Sequence, residues 1–253
     1  MKIISWNVRT GNKRLHRALN DILNKEPDVV CFQEWPKRRL NLLTGLNSYA
    51  LHLIPDVMSD NPLKGSYICT LTKLPVVSSK TIEYATKAPA SLLSKVCYEG
   101  FNKTKEVHKA LVITLLYNNA TFEVANFRLS CAVGPRTRQR YLDTILRTHG
   151  ANKRIYCGDF NTVDGLLMKA WGWALGYKKA DFLFNERGEL EKKIQELNLT
   201  NPFNGMCTTF PKWSRKMQFD HILIPNELKL SEKKMLKKSM GSDHRVLVTK
   251  IEA

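Results

Sequence analysis

Residues 158–161 of this chain, Gly158-Asp159-Phe160-Asn161, set a carboxylate and an amide directly after a short apolar run, Ile155-Tyr156-Cys157. The run reads as a buried strand, and Gly158 lets the backbone open at its carboxyl end. Side chains alternate along a strand, so Asp159 and Asn161 share a face wherever the extended geometry continues. A rim of that kind can hold a metal, a water or a phosphate. The same residues also suit a strand that simply ends in an Asx turn. Three other strands repeat the design. Ile3-Ile4-Ser5-Trp6 runs into Asn7, Val29 to Gln33 runs into Glu34, and Asp220 precedes Ile222-Leu223-Ile224. A fifth group, Ser242-Asp243-His244, comes immediately before an apolar stretch. Polar groups at strand ends converge on one rim of a sheet protein even when far apart in sequence, and five such groups are more than strand termination requires.

The elements that must position these groups are mostly strands. Residues 2–8 and 28–34 read as strands, the second with Val30, Phe32 and Glu34 on one face. Leu15, Leu19, Ile22 and Leu23 have helical spacing that ends near Pro27. Strand-like runs at 49–54 and 66–77 are broken by Pro55, Pro62 and Pro75, and 80–104 carries no clear pattern. Runs at 110–117 and 121–130 flank Asn118-Asn119, a two-residue hairpin signal. Residues 138–147 form a basic amphipathic helix that buries Tyr141, Leu142, Ile145 and Leu146. Further helices are expected at 166–175 and 189–197, and closing strands at 219–224 and 245–251 with a basic segment between them. No linker, repeat or low-complexity tract divides the chain. One domain, 1–253, with two layers of sheet and helices outside is the expectation.

Composition narrows the function classes. The 253 residues suffice for a substantial core, and 43% hydrophobic with 25% charged residues is ordinary for a globular protein. No stretch has the signature of a secretion signal or a membrane span, which makes the cytoplasm the expected location and leaves the N-x-S/T triplets without meaning. The six cysteines are scattered without a C-x-x-C pair, against both a zinc site and a disulfide framework. The informative number is the net charge of +17, from 40 basic and 23 acidic residues. It favours a polyanionic partner, nucleic acid ahead of an anionic lipid surface. Basic clusters stand at Lys37-Arg38-Arg39, at Arg136, Arg138 and Arg140, and at Lys233-Lys234 with Lys237-Lys238.

The same motifs carry a resemblance that runs nearly end to end. KIISWNV with Asn7, DVVCFQE with Glu34, GSYICTLTKLPV (65–76), GDFN (158–161), FDHILI (219–224) and SDHRVLV (242–248) occur in order. The chain resembles the exonuclease–endonuclease–phosphatase superfamily, the deoxyribonuclease-I-like metal-dependent phosphoesterases, and GDFN followed by a terminal SDH is its most specific pairing. The resemblance implies a four-layer α/β/β/α sandwich, two packed mixed sheets flanked by helices, with the active site at one end. It also implies hydrolysis of phosphate esters with Mg²⁺ or Mn²⁺.

Carboxylate and amide oxygens suit a hard divalent cation, so the chemistry of the residues agrees. On this resemblance Glu34 is the principal metal ligand, Asn7 holds the hydrogen bonds beside it, and Asp159 orients or deprotonates the attacking water. Asn161 positions water or phosphate, and Asp220 pairs with His244, with Asp243 near the metal. His221 falls on the opposite face from Asp220 and is expected to be structural. Arg128 departs from the pattern, standing where many relatives have a histidine. It is expected to bind substrate phosphate through its planar fork and to be removable at little cost in stability. Trp35, Trp213 and the helix around Arg138 are candidates for stacking on bases or gripping phosphates, with core or rim packing the alternative for the tryptophans. The expected function is a monomeric, Mg²⁺-dependent nuclease. A phosphatase or phospholipase on phosphoinositide or sphingomyelin headgroups is the second possibility, and a catalytically weak nucleic-acid-binding module the third.

Overall fold

Short apolar runs bounded by polar and turn residues dictate strands here, and a computed structural model of the chain shows how they assemble. It describes residues 1–61, 63–85, 104–148, 153–163, 172, 177–210 and 217–252. The strands are β1 (Lys2–Asn7), β2 (Val29–Pro36), β3 (Ala50–Ser59), β4 (Ser66–Thr72), β5 (Val76–Glu83), β6 (Thr104–Glu106) and β7 (Lys109–Tyr117). They continue with β8 (Ala120–Arg128), β9 (Lys153–Asp159), β10 (Leu199–Thr200), β11 (Asp220–Pro225), β12 (Lys229–Met235) and β13 (Leu247–Glu252). The described helices are α1 (Leu15–Leu23), α2 (Asn41–Thr44), α3 (Pro135–Arg147), α4 (Lys179–Phe182) and α5 (Glu186–Glu196).

One sheet has seven strands in the order β12-β13-β1-β2-β4-β3-β6, the other six in the order β10-β11-β9-β8-β7-β5. Both are mixed: β1 with β2 and β8 with β9 are parallel, and the other pairs are antiparallel. Three buried clusters define four layers. Ile3, Val29, Cys31, Ile113, Ile155 and Ile222 fill the space between the sheets. The alternate residues Ile4, Trp6, Val30 and Phe32 face outward onto Leu15, Leu19 and Ile22 of α1. On the other side Val112, Ala125, Phe127 and Tyr156 meet α3 and α5. The α/β/β/α sandwich is therefore present.

A buried polar layer ties the sheets together just below one rim. Asn126 Oδ1 accepts from Gln33 Nε2 at 2.7 Å, and Asn126 Nδ2 donates to the Cys69 carbonyl at 2.9 Å and to Thr70 Oγ1 at 3.1 Å. Asn126, reaching from one sheet to Gln33, Cys69 and Thr70 of the other, fixes how the two layers sit on each other, and so how their ends meet.

Several local expectations change. Pro55 does not break its strand; it lies inside β3, where a register shift absorbs it. The basic segment before the last strand is itself a strand, β12, at the sheet edge, where lysine-rich sequence discourages further pairing. The hairpin at Asn118-Asn119 is as expected, both residues adopting positive φ (50° and 60°). The helix expected at 166–175 and the Trp213 side chain lie outside the described residues. No helix among the described residues is long and apolar enough to cross a membrane.

Candidate active site

Strand ends from both sheets meet at one rim. In the six-stranded sheet Asp159 lies beside Arg128 on one side and Asp220 on the other, in register. The seven-stranded sheet supplies Asn7, Glu34 and His244 from the ends of β1 and β2 and from just before β13. Asn7 joins the two sets: its Nδ2 donates to Glu34 Oε1 at 3.1 Å and to Asp159 Oδ2 at 2.9 Å.

Glu34 does not follow the alternation of its strand. It adopts φ 56° where the pairing of β2 with β4 shifts register, and this left-handed kink turns the carboxylate toward Asn7. The kink was illegible in the sequence, because no glycine or asparagine marks it. Thr10 donates to Glu34 Oε2 through its amide (3.3 Å) and hydroxyl (3.2 Å), a contact the sequence did not point to. Burial alone would raise the Glu34 pKa, but the Arg128 charge, the Asn7 bond, His244 and Thr10 hold it below the ordinary value.

Gly158 is needed for its lack of a side chain, since a Cβ there would collide with the Phe127 carbonyl of the neighbouring strand. Beyond it the chain leaves extended geometry. Asn161 has φ 49°, its amide donates to Asp159 Oδ1 at 3.0 Å, and its side chain donates to the Leu129 carbonyl at 2.7 Å. The Asx turn and the polar rim are thus one device, the turn aiming Asp159. Burial, followed by the charges of Asp220 and Glu34, pushes the Asp159 pKa up to about 7 against the opposing pull of His244 and Arg128.

His244 Nδ1 lies 2.8 Å from Asp220 Oδ2 and 3.0 Å from Oδ1. Burial would lower the imidazole pKa, but the Asp220 charge and bond, with Asp159 and Glu34, outweigh it and raise it to about 10. The ring is therefore cationic at neutral pH, with Nε2 left to face a ligand. The pair is braced from behind. Ser242 Oγ donates to the Asn7 carbonyl at 2.8 Å and accepts from the His244 amide at 3.1 Å. Thr208 Oγ1 accepts from the Asp220 amide at 3.0 Å.

His221 is structural, as expected. It is buried, stacks on Phe160 (centroids 4.6 Å apart) and bonds to Asn201 and the Gln218 carbonyl. Burial, with Arg187, lowers its pKa to about 3.

Two expectations need correction. Arg128 is not an unengaged guanidinium: Nε lies 3.0 Å from both Asp56 oxygens and one terminal nitrogen lies 3.1 Å from Glu106 Oε1. Arg128 and Asp56 are buried and Glu106 is nearly so, and removing the guanidinium would leave each carboxylate with only a serine hydroxyl, Ser66 or Ser130. Asp56 and Glu106 were missed because neither follows an apolar run: Asp56 lies inside β3, and the three-residue β6 that holds Glu106 carries no pattern. Arg138 is also not a surface cation; it is buried and forks onto Glu186, with Tyr177 and two carbonyls completing its shell. Of the two readings for Trp35 the packing one holds: it lies in the core against Phe32 (4.9 Å) and offers no face to a base. Asp243 stands apart from the cluster: half-exposed, its ion-pair partner is Arg9 at 3.9 Å.

A cleft of about 480 Å³ opens beside Glu34, walled by Arg128, Glu106, Arg38, Lys64 and Ser66. Asp159, Asp220 and His244 bring ligand-type atoms within 4.8 Å of one another. His244 cannot serve as a metal ligand while Nδ1 is bonded to Asp220 and the ring is protonated. Glu34, ionised and facing the cleft, is the hard-oxygen donor that fits a divalent cation.

Comparison with known proteins agrees with the fold. A model described as the Endonuclease/Exonuclease/phosphatase family matches residues 4–244. No curated protein sequence matches the chain. Among solved structures, an endonuclease/exonuclease/phosphatase family protein from Leptotrichia buccalis is 18% identical, with a TM-score of 0.71 and full coverage of both chains. D. rerio TDP2 complexed with single-strand DNA product is 18% identical, with a TM-score of 0.65, covering 100% of this chain and 99% of that one. The human Nocturnin catalytic domain with bound sulfate is also 18% identical, with a TM-score of 0.59, covering 100% and 93%.

Proposed function

Because the chain belongs to the endonuclease/exonuclease/phosphatase family, we propose that it is a divalent-metal-dependent phosphodiesterase acting on nucleic acid. The observation that carries this is the Asn7 bridge between Glu34 and Asp159, with the Asp220–His244 pair on the same rim. Glu34 would hold Mg²⁺ or Mn²⁺, with Asn7 and Thr10 fixing the carboxylate. When bound, the ion neutralises charge on the phosphoryl oxygens.

The remaining steps belong to the chain's own groups. Asp159, titrating near neutrality and oriented by Asn7 and Asn161, accepts a proton from the attacking water. The new P–O bond forms as the ester bond breaks, and the departing oxygen leaves with the electron pair. His244, held cationic by Asp220, donates a hydrogen bond from Nε2 to a phosphoryl oxygen as charge builds there. Arg128, held in the cleft wall by Asp56 and Glu106, keeps the Glu34 carboxylate ionised. Asp243 is placed to influence the rim through Arg9 rather than as a primary ligand.

A nucleic-acid substrate is favoured by the net charge of +17 and by a cleft with cations on its walls. The DNA product bound by a structural relative points the same way. The test is turnover by the purified protein with Mg²⁺ or Mn²⁺ on plasmid DNA, single-stranded DNA, RNA and a phosphoinositide. Hydrolysis of a nucleic acid supports the proposal. Hydrolysis of the lipid alone replaces it with the phosphatase reading.

A further inference from the structure

A second basic surface begins where the catalytic strands leave the site. The chain runs from Asn7 through residues 8–12 into α1, and residues 236–241 lead into Ser242-Asp243-His244. These two segments form the walls of a groove of about 450 Å³, with Lys13, Arg14 and Arg17 on one side and Lys238 on the other. All four cations are exposed, and Asp21 is the one acidic side chain in the lining. Among the described residues, no carboxylate pairs with any of the four. By contrast, the surface lysines Lys192, Lys193 and Lys229 each have such a partner.

The groove is built, not merely exposed. Buried Asn12 clamps its walls, donating to the Val8 carbonyl and to the Met240 carbonyl, each at 3.1 Å, and accepting from the Arg14 amide at 2.8 Å. Gly241 (φ 93°) packs so closely on Asn12 that a side chain there would collide with it. The groove is thereby held rigidly to the rim that carries Asn7 and His244.

The charge pattern is locally unfavourable. Helix α1 has no acidic residue in its first turn and no side-chain cap, and cations crowd the end where the helix dipole is already positive. That arrangement costs stability unless an anion is present, and a local rule broken without local compensation is a mark of a binding site.

We propose that this groove holds the sugar–phosphate backbone of a nucleic-acid strand, on the flank beyond the scissile phosphate. The proposal rests on the nuclease reading of the active site. A membrane-docking face would combine cations with apolar side chains, yet among the described residues none of the exposed large apolar side chains, such as Leu53, Leu63 and Leu183, lines the groove.

The test compares wild type with K13Q/R17Q/K238Q and with a control of equal charge change at the opposite rim, K73Q/K153Q/K229Q. Binding of a long single-stranded oligonucleotide is titrated over several salt concentrations, and KM is measured for the same strand and for a dinucleotide. The groove variant should lose about one unit of salt slope per residue removed. It should also raise KM for the long strand by about tenfold or more, shrinking the advantage of long over short substrate. The control should stay near wild type in both, and equal melting temperatures establish that folding is intact. A groove variant with wild-type slope and KM, beside a wild type that binds and cleaves nucleic acid, overturns the groove alone. A wild type that neither binds nor cleaves nucleic acid overturns the nuclease reading together with it. Loss of binding to phosphatidylserine vesicles in the groove variant, with oligonucleotide binding untouched, would make the partner a membrane and overturn the proposal.

Discussion

In the proposed mechanism Asp159 and His244 divide the proton chemistry between them, because burial and neighbouring charge set one titrating near 7 and the other near 10. Asp159→Asn and His244→Ala should each fold and lose about a hundredfold or more in turnover, the scale of general-base and electrostatic contributions. His221→Ala should lose far less, and steady-state kinetics of the three variants decides between the two histidines. The histidines also make opposite contributions to stability against pH. An unfolded histidine titrates near its ordinary 6.5, whereas His221 in the folded chain titrates near 3. Between those values the unfolded state binds the extra proton, so stability falls as pH drops below 6.5. His244 is raised, so its contribution is complete below 6.5 and is lost as pH climbs through about 10. Urea melts across pH should show a flatter acid limb for His221→Gln and a flatter alkaline limb for His244→Gln. Arg128 has a structural consequence as well: Arg128→Ala leaves buried Asp56 without its cation and Glu106 without its ion pair, and should cost about 3–5 kcal/mol of unfolding free energy. Arg128→Lys keeps the charge but not the fork, and calorimetric melting should place it between alanine and wild type.

At the scale of elements, the site depends on two sheets meeting in register, and Asn126 is the side chain that most directly joins them. Asn126→Ala should lower unfolding free energy by about 1–3 kcal/mol for each polar group it leaves unpaired, measured by denaturant melts. Most strands were legible because a strand with one face in each core reads as a continuous apolar run bounded by polar or turn residues. The polar ends of β1, β9 and β11 were legible for the same reason: a carboxylate or amide directly after an apolar run has nowhere else to go. Other features left no such trace. The kink at Glu34 comes from tertiary packing rather than a turn residue, and β12 has the composition of a solvated loop because it is an edge strand. Arg138 looked like surface charge, and Arg128 like a free phosphate fork, because the partners Glu186 and Asp56 lie 48 and 72 residues away in sequence. A buried ion pair closed over that separation has no local pattern.

For the molecule as a whole, the sandwich fold and the family membership agree with one another, and the surplus of positive charge gives that scaffold a surface suited to a polyanion. The central claim is that phosphodiester hydrolysis here depends on a hard divalent cation held at Glu34. It is tested most directly by following turnover of the preferred substrate while the cation is removed and restored. Activity with Mg²⁺ or Mn²⁺ should fall to background in excess EDTA and return when the metal is added back, and Glu34→Gln should fold normally but respond weakly to added metal. Undiminished turnover by the wild-type protein in excess EDTA would contradict the account.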